Sequence, residues 1–268
     1  MGKNGRISMR ILFIGDVLGS PGRRAVKMLL PPLVLQEGIS LVVANVENAA
    51  GGVGVTPDVV DEFLGAGVHV MTSGNHIWDK KEVLDVIGFE PRLIRPANYP
   101  KNNPGRGTAV VKTAEGQKAG IVNLEGNVFM RAKDCPFTVA REEVEALRQE
   151  TRIIVVDMHA EATSEKKAMG WYLDGRVSLV IGTHTHVQTS DETVLPGGTA
   201  YLTDAGMTGP HDSVIGIKKE IVIERFLTGM PKRFEPASQD VRLQGAIVDV
   251  DPETGKATAI RRVDEALP

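Results

Sequence analysis

The chain has 268 residues, 42% of them hydrophobic and 24% charged, and a formal net charge of −3. These are ordinary values for a soluble globular protein, and a chain of this length buries a large core without disulfides. Acidic and basic residues are mixed along the chain, which argues against stable binding of long nucleic acid through phosphate neutralisation. A small anionic substrate stays open, because a bound metal ion supplies positive charge locally. Cys135 is the only cysteine, so no internal disulfide forms, and a reducing compartment, most simply the cytoplasm, is expected. No apolar run reaches the length needed to span a bilayer. Residues 1–8 are polar and glycine-bearing, without the apolar centre of a signal peptide, and are expected to be a leader or tag.

The rest, residues 9–268, shows no internal repeat or low-complexity linker and is expected to be one domain. Met9–Gly15 is a strand-like apolar run ending at Asp16. A loop with Gly19, Pro21 and Gly22 leads to a helical stretch that Pro31 and Pro32 should interrupt. Leu41–Val46 is the second run. Thr56 offers a helix N-cap with Pro57 in the first turn, and Gly65 or Gly67 can close that helix. Val68–Ser73 reads as a third strand and Lys80–Ile87 as a short helix. Residues 107–113 and 117–123 read as two strands around a turn at Glu115–Gly116. Ala140–Glu150 is a charged amphipathic helix, and a second helical stretch, near Ser164–Tyr172, separates the runs Arg152–Met158 and Val177–Ile181. Thr199–Thr203, Ala246–Asp251 and Lys256–Arg262 read as strands. The pattern predicts an α/β protein with a mixed sheet or two packed sheets.

Residues of metal-ligand or acid/base type follow these runs. Asp16 ends the first, Glu47 and Asn48 the second, and Asn75 and His76 the third. His159 ends the run at 152–158, and His184 and His186 end the run at 177–181. Ligands in open α/β sheets bind outside the carboxyl ends of strands. Each residue alone has an ordinary explanation: a turn or helix cap for Asp16, a polar turn for Glu47–Asn48, a tight turn for Gly74–Asn75–His76, a satisfied core histidine for His159. Gly182–Thr183–His184–Thr185–His186 is harder to dismiss, since alternation in an extended segment puts both imidazoles on one side. Taken together, the set reads as a site. His69, inside a strand, and His211, in a loop, are given structural roles. Imidazoles, carboxylates and an amide without thiolate suit Fe, Mn or Zn. The donors outnumber what one tetrahedral ion needs; two ions about 3.5–4 Å apart, with Glu47 bridging, would use them all.

With Gly15–Asp16, Gly74–Asn75–His76, the isolated His159 and Gly-x-His-x-His at 182–186, the sequence resembles the calcineurin-like metallophosphoesterases over most of its length. Two features depart from that pattern. Leu18 stands where the family's Asp-x-His has its histidine, and Glu47–Asn48 replaces a Gly-Asp motif. The strings FIGDVLGSPGR, ANVENAAGG, TSGNHIWD and TDAGMTGPHDSVIG resemble one branch, the YmdB-like phosphodiesterases. The resemblance implies two packed mixed β-sheets flanked by helices (α/β/β/α) and hydrolysis of 2′,3′-cyclic nucleotides to 3′-phosphates, with some 3′,5′-cyclic activity. It further implies two metal ions, often iron, held by Asp16, Glu47, Asn48, Asn75, His159, His184 and His186. His76 would be the catalytic histidine, and Asn48 would offset the imidazole missing at Leu18. A metal-bridging hydroxide would attack phosphorus in line with the departing ribose oxygen.

Two other readings compete: a metal hydrolase of the amidohydrolase type, whose (β/α)₈ barrel the order of motifs does not fit, and a regulatory protein that senses a nucleotide with little turnover. The expected partner is a small phosphodiester; no membrane contact is expected, and a homo-oligomer is compatible with the sequence. Aromatic residues make up only 4%, leaving Phe129, Trp171 and Tyr172 as candidates for base stacking. Asp204–Gly216 is either a loop over the site or a subunit contact, or else an ordinary surface loop.

Overall fold

The computed structural model describes residues 8–131 and 133–268, so the expected leader or tag at 1–8 lies, Ser8 apart, outside the described residues. In chain order the strands and helices are β1 (Met9–Ile14), β2 (Asp16–Val17), α1 (Gly19–Glu37), β3 (Leu41–Asn45), α2 (Pro57–Ala66), β4 (Val70–Thr72), β5 (Thr108–Lys112), β6 (Lys118–Glu125) and α3 (Pro136–Leu147). They continue with β7 (Ile154–His159), α4 (Thr163–Tyr172), β8 (Leu179–Thr183), β9 (Thr193–Val194), β10 (Ala200–Leu202), β11 (Met207–Pro210), α5 (Lys219–Thr228), β12 (Val241–Val250) and β13 (Ala257–Ala266).

Two mixed sheets form. One runs β2-β11-β12-β1-β3-β4, with β13 also paired to β12; the other runs β5-β6-β7-β8-β10-β9. In the first, β1, β3 and β4 are parallel and β12 is antiparallel to β1. In the second, β6, β7, β8 and β10 are parallel. Side-chain alternation explains the layering. Met9, Ile11 and Phe13 of β1 face a core shared with Ile121 of β6, Val155 of β7 and Ile181 of β8, so the sheets pack face to face. Leu12 and Ile14 point the other way, into a second core with Val26 and Leu30 of α1 and Phe63 of α2. The outer face of the second sheet is covered by α3 and α4 through Val144 and Met169. The architecture is the expected α/β/β/α sandwich, not a (β/α)₈ barrel. Strands covered on both faces read as continuous apolar runs rather than alternating ones, and β3 is buried at every residue. Each fully buried large apolar side chain here contributes about 1.5–3 kcal/mol.

Three local expectations change. Pro31 and Pro32 do not interrupt α1, which continues to Glu37. Both prolines lie on its exposed side, and the carbonyls they leave without N–H partners belong to Lys27 and Met28, which are also exposed and can turn to water. The helix expected at Lys80–Ile87 is a single 3₁₀ turn, Lys81–Asp85. Part of 204–216 is ordered as strand β11, which pairs with both β2 and β12. No helix among the described residues is long and apolar enough to cross a membrane.

Candidate metal centre

The parallel strands deliver their carboxyl ends to one place. Asp16 follows β1, Glu47 and Asn48 follow β3, Asn75 and His76 follow β4, His159 ends β7, and His184 and His186 follow β8. His159 Nε2 lies 3.1 Å from Glu47 Oε1, 3.0 Å from Asn75 Oδ1 and 3.2 Å from His184 Nδ1. The backbone N–H of His184 donates to Asp16 Oδ2 at 3.1 Å. His186 Nε2 is 4.0 Å from Asp16 Oδ1 and 3.0 Å from Asn48 Nδ2. The backbone N–H of His76 donates to Glu47 Oε2 at 3.0 Å. All eight residues picked out in the sequence therefore join one contact network, and Glu47, His159 and His184 form a group that could hold a metal ion.

The hydrogen bonds on the far side of each imidazole fix its orientation. His159 Nδ1 lies 2.9 Å from Thr183 Oγ1, whose own hydroxyl donates to Asp157 Oδ1 at 2.7 Å. The threonine oxygen must then accept, so His159 carries a proton on Nδ1. His186 Nδ1 lies 3.0 Å from the carbonyl of Ile215, which can only accept. His184 Nε2 lies 3.1 Å from Glu161 Oε2. In all three rings the outer nitrogen donates and the inner nitrogen faces the cluster; on His159 that nitrogen must give up a proton before it presents a lone pair. This is the outer-shell arrangement that metal-binding histidines use. Asp16 Oδ1 is buried and has no hydrogen-bond partner among the described residues, an orphaned charge of the kind a cation satisfies. The donor set therefore fits metal ions.

The electrostatics agree. Burial raises the Asp16 carboxyl above its usual range, opposed by His186 and His159. Burial also acts to raise Glu47, but His159 and His76 outweigh it and hold Glu47 down to about 2. For His159, burial acts to lower the value, yet Glu47, Asp16 and Asp157 carry it up to about 9. Burial, aided by neighbouring His159, pushes His184 down to about 3. One imidazolium thus sits among carboxylates where cations would otherwise supply the charge.

The backbone is also shaped for the site. His184 and His186 adopt positive φ values of 100° and 64°, strained for residues with side chains. Gly74 packs directly against the His159 ring; a Cβ there would lie 2.2 Å from Cδ2 and Nε2.

Comparison with known proteins gives the family. The model of the YmdB-like protein family matches residues 12–263. The 2′,3′-cyclic-nucleotide 2′-phosphodiesterase of Bacillus subtilis (strain 168) is 48% identical, with 95% of this chain and 96% of that protein covered. The chain belongs to the YmdB-like family. Two solved structures superimpose on it with a TM-score of 0.90 each. A protein of Thermus thermophilus is 42% identical, with 97% of this chain and 100% of that one covered. A novel phosphatase of Mycoplasma pneumoniae is 35% identical, with coverage of 98% and 96%.

In this YmdB-like chain, Leu18 is buried and walls a cavity beside the cluster, and Asn48 is the residue that faces His186. His76 points its Nδ1 at Asp79 Oδ2, 2.7 Å away, and borders the cavities on either side of the cluster. His69 and His211 make no hydrogen bond to the cluster among the described residues, each being engaged by backbone: His69 Nδ1 accepts from Val42 N–H, and His211 Nε2 meets the Met207 carbonyl. Of the three aromatic candidates, only Phe129 borders the site; Trp171 lines a cavity with Asp191 and Tyr201, and Tyr172 packs edge-on against Phe137.

Sequence reasoning missed the supports beneath the cluster. Asn45 Nδ2 and Thr72 Oγ1 both donate to Asp157 Oδ2, at 3.1 and 2.5 Å. Lys166 and Asp204, both buried, pair at 2.6 Å, and Thr185 Oγ1 donates to the same carboxylate oxygen at 2.8 Å, anchoring the turn between His184 and His186. For Asp157, a lone aspartate inside the apolar run at 153–158, the signal was available, since a buried charge needs partners; Lys166 lies in a charged stretch and gave none.

Proposed function

We propose that this protein is a two-cation phosphodiesterase of the cytoplasm that hydrolyses small cyclic nucleotides, 2′,3′-cyclic nucleotides to 3′-phosphates foremost. One observation carries the reading: three imidazoles with their outer nitrogens engaged turn their inner nitrogens toward buried Asp16 and Glu47. The name of the B. subtilis relative supports the substrate class. Asp16, Glu47, Asn48 and His186 would hold one cation, and Glu47, Asn75, His159 and His184 the other, with Glu47 shared. The donors suit iron, with Mn or Zn as alternatives. Cations at these positions would supply a water acidic enough to attack near neutral pH and would neutralise charge on the phosphoryl oxygens.

The chain's own groups do the rest. Asp79 accepts from His76 Nδ1–H, which leaves Nε2 directed to exchange a proton with substrate. As a general acid, His76 would deliver that proton to the ribose 2′-oxygen as its bond to phosphorus breaks. Buried Leu18 gives the cavity beside the cluster an apolar wall.

The test is metal analysis of the purified protein together with turnover of 2′,3′- and 3′,5′-cyclic nucleotides after loading with Fe, Mn or Zn. Faster turnover of the 2′,3′ isomers, with a 3′-phosphate product, is expected. Tight nucleotide binding without turnover under any of these metals would instead make the protein a sensor.

A further inference from the structure

Two cavities of different chemistry meet at the cluster, with His76 and His184 on the boundary of both. One, of about 480 Å³, has apolar walls from Leu18, Val53, Ile215 and Phe234 and no lysine or arginine; its acid outside the cluster, Glu161, is taken by His184. The other, of about 720 Å³, is polar. Trp78 and Phe129 supply aromatic surface there, and Arg131 and Lys133 supply positive charge. Lys133 is neutralised by buried Glu125, while Arg131 is exposed and has no acidic partner among the described residues. Asp79, also on this wall, is paired with His76.

A cyclic phosphodiester is compact, its two ester oxygens belonging to one sugar, and occupies one cavity. A linear phosphodiester has two limbs. Each cavity falls in the range of about 300–1,000 Å³ usual for small-ligand pockets, so each admits a nucleoside-sized limb. The apolar cavity suits a limb with no charge beyond the scissile phosphate. The other offers an unpaired guanidinium, whose planar fork matches phosphate, beside rings on which a base can stack.

We propose that the site also takes linear phosphodiesters, specifically short oligonucleotides in which one limb carries a second phosphate, bound by Arg131 while the other limb enters the apolar cavity. This rests on the phosphodiesterase reading above. Hydrolysis of such a substrate balances with water alone. Its oxygen bonds to phosphorus, the P–O bond to one ribose breaks, and the departing oxygen takes a proton. The chemistry at the cluster is unchanged; what the second cavity adds is recognition.

The experiment measures kcat/KM of the metal-loaded full chain on three substrates: 2′,3′-cyclic AMP, the dinucleotide ApA, and its 5′-phosphorylated form pApA. The expected result is cleavage of pApA at least about tenfold more efficient than ApA, the worth of one charge-assisted hydrogen bond. Arg131→Ala should collapse that ratio toward unity, and Arg131→Lys should restore part of it. Because Arg131 is exposed and makes no buried contact, loss of fold does not confuse the result. The inference is overturned if pApA and ApA are cleaved alike, if the ratio survives in Arg131→Ala, or if only the cyclic substrate turns over. That last outcome leaves the cyclic-nucleotide reading standing, whereas turnover of none of the three sinks both.

Discussion

His159 Nδ1 meets Thr183 Oγ1 at 2.9 Å, and through that hydroxyl reaches the buried carboxylate of Asp157. The relay fixes which nitrogen of His159 faces Glu47. Thr183→Val keeps the shape of the side chain and removes the acceptor. Asp157 keeps Asn45 and Thr72 as donors, so its charge is not stranded. Metal affinity should fall by about 10–100-fold, the usual cost of losing such an outer partner. Titration of the metal-free variant with Mn, read by calorimetry, measures it; wild-type affinity would mean that the relay does not orient the ring.

His76 and His186 should behave oppositely. His76 touches the cluster only through its backbone N–H, so His76→Ala should keep both metals and lose turnover by about 10²–10⁴-fold, the range for a general acid. His186→Ala and Asp16→Asn should lose metal content first, with activity following. Metal-to-protein ratios measured beside kcat separate the two. Near-normal kcat in His76→Ala would remove its assigned role.

The meeting of these strand ends was legible because each apolar run stops at a residue that does not belong in a core. Asp16 after FIG and His159 after VVDM interrupt patterns that the burial of both strand faces makes continuous. What lies one layer deeper was not legible. Asn45, Thr72 and Asp157 sit inside their runs, and nothing local shows that they face one another across two sheets. Helix α5 went unread because only Val222 is buried along it, so its sequence carries little core-facing periodicity. The prolines of α1 misled for a related reason: the effect of a proline depends on whether the carbonyl it orphans can reach water, which is a property of the fold.

Gly74 offers a purely steric test. Its φ lies outside the positive range, so alanine fits the backbone, and the nearest obstacle is the His159 ring 2.2 Å from the new Cβ. That ring is fully buried and cannot swing aside. Gly74→Ala should therefore displace the imidazole, lower stability by about 1–3 kcal/mol as overpacking does, and empty the cation position that Glu47, Asn75, His159 and His184 would share. Denaturant unfolding and metal analysis read the two effects. Unchanged metal content would mean that the ring's position matters less than proposed.

The charge balance between Glu47 and His159 sets the response to pH. In the metal-free protein His159 is raised from 6.5 to about 9, so the stability it contributes is complete below 6.5 and is lost as pH rises through about 9. Glu47 is lowered from 4.5 to about 2, so its contribution is complete above 4.5 and is lost as pH falls through about 2. The pair therefore supports the metal-free fold best between those ordinary values. A cation needs the lone pair of His159 Nε2, which in the metal-free state holds the proton shared with Glu47 at 3.1 Å. His184, pushed down to about 3, is already neutral and has no proton to give up. Metal uptake near pH 7.5 should thus release about one proton from this pair, and affinity should rise with pH until about 9. Mixing metal-free protein with Mn in weak buffer containing a pH indicator counts the proton directly. Uptake with no acidification would show that the cluster does not hold an imidazolium in the cation's place.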